Sequence, residues 1–320
     1  MQIFLYLCSV FWQMEPILGH ISKNQVRFIR SLQQKKVRDE QHLFVAEGDK
    51  CIGELLGHFD LVTLVVTGAS GISGISGNPT PLLPYSSTPL PLYSSTSQEL
   101  SQMSSLKTPQ GSLAVFRQKD PNPSFPSKGK EVDHSPLRGD GGVCLALDGV
   151  QDPGNLGTII RTADWFGITD IYCSLDTADC YNPKVVQATM GALARVSVHY
   201  IDLVNWLSSI SGISGISGTS SPLRGGLVGS LPIYGTLLDG RNLYEKDAIP
   251  DPARGIIVMG NEGNGISAEV KKFITHPLYI PSYTSCPIRE GLEGSHIESL
   301  NVAIATAITL AEFRRLSQQK

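Results

Sequence analysis

From residue 143 onward the chain alternates short apolar runs with segments of helical periodicity, and this constrains the fold more than any other feature. Runs at 143–147, 170–174, 197–200, 233–238, 256–259 and 278–280 read as strands. Helices are expected at 155–166, 183–193, 203–207 and 268–274, and a long one from 299 to about 316 closes the chain. Strands and helices in alternation build a parallel sheet covered by helices, with ligands bound beyond the carboxyl ends of the strands.

The first half is organised differently, and 320 residues suit about two domains. In the N-terminal domain expected at 21–117, Val26, Ile29 and Leu32 recur at helical spacing with Ser22 as the cap. Strands follow at 43–45, 61–67 and 111–116, with a helix at 49–56. Residues 118–142 read as a linker and 143–320 as the second domain. Two stretches rich in Gly, Ser, Pro and Thr break the pattern, at about 68–98 and about 208–226. The octamer SGISGISG occurs at 70–77 and 211–218, and SPLRG at 135–139 and 221–225. They lack the fixed period and hydrophobic face of solenoid repeats, so they read as disordered insertions in surface loops. Such insertions cost little closure entropy. Residues 1–20 carry an apolar run without the basic flank or cleavage site of a signal peptide, too short to span a membrane. They are an extension of no assigned role, with Met14 as an alternative start.

The net charge of −3 excludes a uniformly basic coat, so any nucleic-acid contact must be local. Lys23, Arg27, Arg30, Lys35, Lys36 and Arg38 provide such a patch, with no acid between residues 23 and 38. The plainer alternative is a solvated helix face. Cys8, Cys51, Cys144, Cys173, Cys180 and Cys286 form no C-x-x-C pair and no zinc spacing with the histidines. They read as small buried hydrophobes in a reducing compartment, and no metal is expected.

Three segments carry candidate chemistry. LALDGVQDPGNLGTIIRTADWFGI (145–168) runs from a strand through a turn into a helix bearing Asn155 and Arg161. Such a unit presents backbone N–H groups and a positive helix end to an anion. Asn155 reads equally as a helix cap and Arg161 as a surface charge, and both reach one site only if the start of the segment is non-helical. IIVMGNEGNGIS (256–267) is a buried strand followed by a loop with three glycines within six residues and one charge, Glu262. It is neither a Walker loop nor G-x-G-x-x-G. Its Glu262 could bind an amine, position a neighbour or simply be solvated. In the third segment, 278–315, a strand and Pro281 lead through a loop to Ser299-Leu300-Asn301 and a helix. Alone, Ser299 reads as the cap and Asn301 as a first-turn residue.

Taken in order, G-N-x-G-x-x-x-R-T-A, G-N-E-G-x-G-I-S and I-P…S-L-N-V-A resemble the TrmH (SpoU-type) RNA ribose methyltransferases of the SPOUT superfamily, over about residues 143–315. Residues 21–116, with F-V-A-E-G-D-K, resemble the small α/β, ribosomal-protein-like RNA-binding domain that precedes the catalytic domain in many members. The resemblance implies a SPOUT-type α/β parallel sheet with a C-terminal trefoil knot, in a cytoplasmic homodimer with active sites at its interface. It implies S-adenosylmethionine held largely by main-chain groups around Gly260, Ile280 and Leu300, and methyl transfer to a ribose 2′-hydroxyl of RNA, rRNA rather than tRNA. Asn155, Arg161, Glu262, Ser299 and Asn301 are the functional positions carried over. A guanidinium is effectively always protonated, so Arg161 suits electrostatic positioning better than general-base duty. One departure is the stretch from Pro281 to Ser299, longer than the family's loop by residues around CPIREGLEGSHI. The rival reading is a non-catalytic RNA-binding or ribosome-assembly protein of the same fold. A Rossmann oxidoreductase lacks support because its glycine fingerprint is missing.

Overall fold

The computed structural model describes residues 18–67, 92–119, 142–211, 231–283 and 299–318. In chain order the elements are β1 (Leu18–His20), α1 (Lys23–Ser31), α2 (Lys35–Gln41), β2 (Leu43–Glu47), α3 (Asp49–Leu55), β3 (Leu61–Thr67), β4 (Leu92–Ser95), α4 (Ser97–Met103) and β5 (Ser112–Arg117). Then come β6 (Val143–Leu147), α5 (Pro153–Trp165), β7 (Asp170–Cys173), α6 (Pro183–Thr189), a 3-10 turn (Ala192–Ala194), β8 (Ser197–Tyr200) and α7 (Leu203–Ser211). β9 (Ile233–Asn242), β10 (Gly255–Met259), α8 (Ala268–Lys271), β11 (His276–Tyr279) and α9 (Val302–Ser317) follow. The described residues form two compact units: residues 18–119 with 179–195, and residues 142–178 with 196–318.

The first unit is a mixed five-stranded sheet in the order β1-β4-β3-β5-β2. Ser22 caps α1 in a reciprocal box with Gln25, and Val26 and Ile29 turn inward to join Val45, Val65, Leu113 and Val115 in the core. The F-V-A-E-G-D-K run becomes a structural knuckle. Buried Glu47 accepts from the Ser104 hydroxyl (2.5 Å) and the Ser105 amide (2.8 Å), while Gly48 takes a positive φ of 83°.

Four sequence expectations change in this unit. Residues 92–98, placed in the first insertion, form β4 and open α4. Thr96 and Glu99 make a capping box there, whose Ser/Thr-rich composition resembles low complexity. Residues 18–20, assigned to the extension, pair as β1 with β4. Residues 179–195, expected in the second domain, group with the first unit, where Tyr181 stacks within 4.8 Å of Phe44 and α6 packs on β2. Most consequentially, Arg38 is not a surface cation. It is 1% exposed and donates to Asp179 Oδ2 through Nε (3.2 Å) and Nη2 (2.5 Å). Its Nη1 donates to the carbonyls of Leu32 (2.9 Å) and Gln33 (2.8 Å). The guanidinium fork ties the α1–α2 turn to the 179–195 segment, and its donors are spent on protein partners rather than on RNA.

The second unit is a six-stranded sheet in the order β11-β9-β10-β6-β7-β8, and every pairing is parallel. β10, GIIVM, is buried at every position, as central strands covered on both faces are. The expected alternation is therefore present, with all strand carboxyl ends on one edge. β9 is longer than expected and skips register against β11 between Pro277 and Leu278. Gly240 sits at that skip, where a Cβ would come within 2.5 Å of the Leu278 backbone. α7 carries residues 208–211, which by composition belong to the second insertion. The rest of both insertions, most of the 118–142 linker, Met14, Cys8, Cys286 and the extra loop residues 284–298 lie outside the described residues. Cys51, Cys144, Cys173 and Cys180 are buried. Burial pushes the Cys51 thiol up to about 12 and raises that of Cys144 as well, so neither is a nucleophile at neutral pH.

Candidate active site

Two loops at the carboxyl edge of the parallel sheet are bolted together. The Asp148 amide donates to the Met259 carbonyl (2.9 Å), and Asp148 Oδ2 accepts from the Ser267 amide (2.7 Å). Asn261 Nδ2 donates to the Gly149 carbonyl (2.6 Å), while its Oδ1 accepts from the amides of Gly263 (2.8 Å) and Asn264 (3.1 Å). Asn261 and Gly265 also exchange two backbone hydrogen bonds of 2.9 Å, closing the 260–265 loop on itself. Gly260 is required by this closure, since a Cβ there would lie 2.2 Å from Gly265 C and 2.3 Å from Ile266 N. Asp148 and Asn261 were missed as functional residues. The available signal was an Asn directly after the glycine of a tight loop, where its side chain can bond the backbone two residues on.

The sequence-predicted residues divide into those the fold brings together and those it does not. α5 begins at Pro153 with Asp152 as its cap, accepting from the Asn155 amide (2.8 Å). Asn155 is thus a first-turn residue whose side chain is not spent on capping α5. Asn301, not Ser299, caps α9, its Oδ1 accepting from the amides of Ala303 (3.0 Å) and Ile304 (3.3 Å). Its Nδ2 donates to Asn155 Oδ1 (2.8 Å), and Asn155 Nδ2 donates to Glu262 Oε1 (2.9 Å). A directed chain therefore runs from the positive end of α9 through two amides to one carboxylate. Glu262 is exposed, and its other oxygen accepts no hydrogen bond among the described residues. Ser299 is exposed and lies before the helix, without a hydrogen bond among the described residues.

Arg161 does not join this chain. The helix is regular from Pro153, so Arg161 sits six positions past Asn155, about 9 Å along the axis and about 120° round it. It is exposed and unpartnered among the described residues.

Gly260, Ile280 and Leu300 each follow or precede an element at this edge: β10, β11 and the Asn301 cap. None of the turn, loop and cap hydrogen bonds among the described residues uses their main-chain groups. That leaves N–H and C=O groups at three loop positions for a ligand. In the first unit, Lys35 pairs with Asp39 (2.9 Å) and Lys36 approaches Glu40 (3.9 Å). Lys23, Arg27 and Arg30 are exposed and without such partners among the described residues. No helix of the described residues is long and apolar enough to cross a membrane.

Fold and site define a parallel α/β domain whose carboxyl-edge loops gather Asn155, Glu262 and Asn301, preceded by a mixed-sheet accessory unit. Residues 142–221 match the SpoU rRNA Methylase family, and residues 23–114 the MRM3-like substrate binding domain. A TrmH-family structure from Porphyromonas gingivalis is 37% identical, with 93% of this chain and 100% of that one covered at a TM-score of 0.66. The AdoMet-bound rRNA methyltransferase of Sinorhizobium meliloti is 25% identical, with 93% and 97% covered and a TM-score of 0.64. The 23S rRNA (guanosine(2553)-2′-O)-methyltransferase RlmP of Bacillus subtilis is 26% identical over 92% of this chain and 97% of its own. The chain belongs to the TrmH (SpoU-type) family of RNA methyltransferases.

Proposed function

We propose that the chain methylates a ribose 2′-hydroxyl in ribosomal RNA with S-adenosylmethionine as donor. The observation that carries this is the Asn301–Asn155–Glu262 chain at the carboxyl edge of the sheet. The names of the Bacillus and Sinorhizobium relatives supply the substrate and donor classes. The donor fits what the site offers: main-chain groups at Gly260, Ile280 and Leu300 that are unused among the described residues, for its polar ends, and a carboxylate for a cation. Once bound, it supplies an already activated methyl group, so the protein's work is alignment and relief of the hydroxyl proton. Asn155 and Asn301 hold Glu262 in one orientation and position the ribose beside it. Ser299 contributes a hydroxyl two residues before the Asn301 cap.

Arg161 binds RNA phosphate and stabilises charge developing on the 2′-oxygen, and it does so in a second copy's site. Arg161 and Trp165 are four residues apart on the same exposed face of α5, and Trp165 is 85% exposed. Half-exposed Leu300 and Ile304 flank the start of α9. Large apolar side chains exposed at both ends of the packed α5–α9 pair favour cover by a partner, here a homodimer mate. Trp165→Glu is expected to shift the protein to monomers in sedimentation; an unchanged dimer would place the interface elsewhere. Arg161→Lys keeps the charge and loses the planar fork, so turnover should fall about 10- to 100-fold with cofactor affinity unchanged. Near wild-type turnover would remove the fork from the mechanism. The first unit grips the RNA, the protein works in the cytoplasm, and the C-terminal segment is threaded as the family's trefoil knot.

The deciding experiment maps 2′-O-methyl positions in total RNA with and without the gene, beside calorimetry with S-adenosylmethionine. Loss of an rRNA methyl mark together with cofactor binding supports the reading. An unchanged methylation map overturns it, and absent cofactor heat favours the non-catalytic rival.

A further inference from the structure

Helix α1 is built against its own stability in a way that points outward. Its first residue is Lys23, a cation at the positive helix end, and its first turn contains no acid. Arg27 stands one turn on, so two like charges are stacked at a spacing that weakens a helix. Beside them, on the face opposite buried Val26 and Ile29, stand Asn24 and Phe28, again one turn apart. Phe28 is 41% exposed. Single exposed apolar residues are ordinary; an aromatic ring set among uncompensated cations and an amide is a particular chemistry. Cations take phosphates, the ring takes the face of a base, and the amide reads a base edge. Lys35 and Lys36, by contrast, are each placed one turn before an acid, whereas α1 has no counter-charge among the described residues.

We propose that the outward face of α1 binds an unpaired stretch of RNA, with Phe28 stacking on one of its bases and Lys23 and Arg27 on the flanking phosphates. A base is reachable this way only outside a duplex, because paired bases are stacked and the A-form major groove is too narrow for side chains. The charge of the patch, opposite in sign to that of the whole chain, selects a polyanion over a protein surface. The proposal takes RNA as the partner from the methyltransferase reading, but its test does not use methyl transfer.

The test measures binding of the full chain to a 12-nucleotide oligoadenylate carrying one 2-aminopurine, and to a perfectly paired RNA duplex of the same length. Phe28→Ala is expected to weaken single-strand binding roughly 5- to 100-fold, the size of one base–aromatic stack. Duplex affinity and the melting temperature should not change. Phe28→Trp should restore binding and quench the 2-aminopurine, whereas Phe28→Leu should behave like alanine. Arg27→Gln should lower the salt slope for the single strand by about 0.7. Wild-type single-strand affinity in Phe28→Ala, equal losses on both RNAs, retention by leucine, or a drop in melting temperature would each overturn the stacking role. S-adenosylmethionine binding is measured on the same variants. Its absence would count against the methyltransferase reading alone.

Discussion

Replacing Gly260 by alanine is expected to lower methyl transfer at least about 100-fold, with a matching loss of S-adenosylmethionine affinity. The added Cβ would meet Gly265 C at 2.2 Å, Ile266 N at 2.3 Å and Gly265 O at 2.6 Å. These are backbone atoms, so no side chain can swing away to make room. Relief requires the 265–266 peptide to move, which breaks the paired Asn261–Gly265 bonds and shifts Glu262 within the same loop. Glu262 then leaves Asn155, and the chain from α9 loses its end. Calorimetry with S-adenosylmethionine and single-turnover methylation read the effect. Activity within about threefold of wild type would show that the loop opens without consequence.

Arg38→Met should destabilise the first unit by about 3–5 kcal/mol, as removing one member of a buried ion pair does. Methionine keeps most of the volume but leaves the Asp179 carboxylate without its cation and the Leu32 and Gln33 carbonyls without their donor. Adding Asp179→Leu should recover part of the loss, since an apolar pair avoids the desolvation cost that a lone charge suffers. Urea unfolding monitored by circular dichroism measures both variants. A loss below about 1 kcal/mol would show that the buried pair contributes no more than an exposed one. The same measurement separates a structural arginine from an RNA contact, because the folded fraction should keep its salt dependence of RNA binding.

Patterns set by local periodicity were legible in the sequence. The run at 61–67 is β3 to the residue, and the apolar run before Gly260 is the central strand β10. Convergence of Asn155, Glu262 and Asn301 was legible only through family resemblance, since Asn155 precedes Glu262 by 107 positions and Asn301 by 146. What escaped depends on tertiary partners. Helical periodicity at 183–193 marks a helix but not the sheet it covers, so its membership in the first unit was invisible. The type of a side chain does not reveal its exposure, so Arg38 was grouped with cations that it merely neighbours. Ser299 and Asn301 are both good caps by composition, and the choice between them is made by the bond from Asn301 to Asn155. Arg161 was grouped with Asn155 by motif, and the regular start of α5 separates them.

The assignment of residues 179–195 to the first unit also bears on how the chain is made. Arg38 precedes Asp179 by 141 positions. At ordinary translation rates that is about 7 to 30 s during which the guanidinium has been synthesised and its carboxylate has not. The nascent N-terminal half must wait, incomplete, while β6, α5 and β7 leave the ribosome, and its last core pieces arrive with the opening strands of its neighbour. Birth order thus binds the two halves together: cutting the gene between them would release an N-terminal half that is never finished.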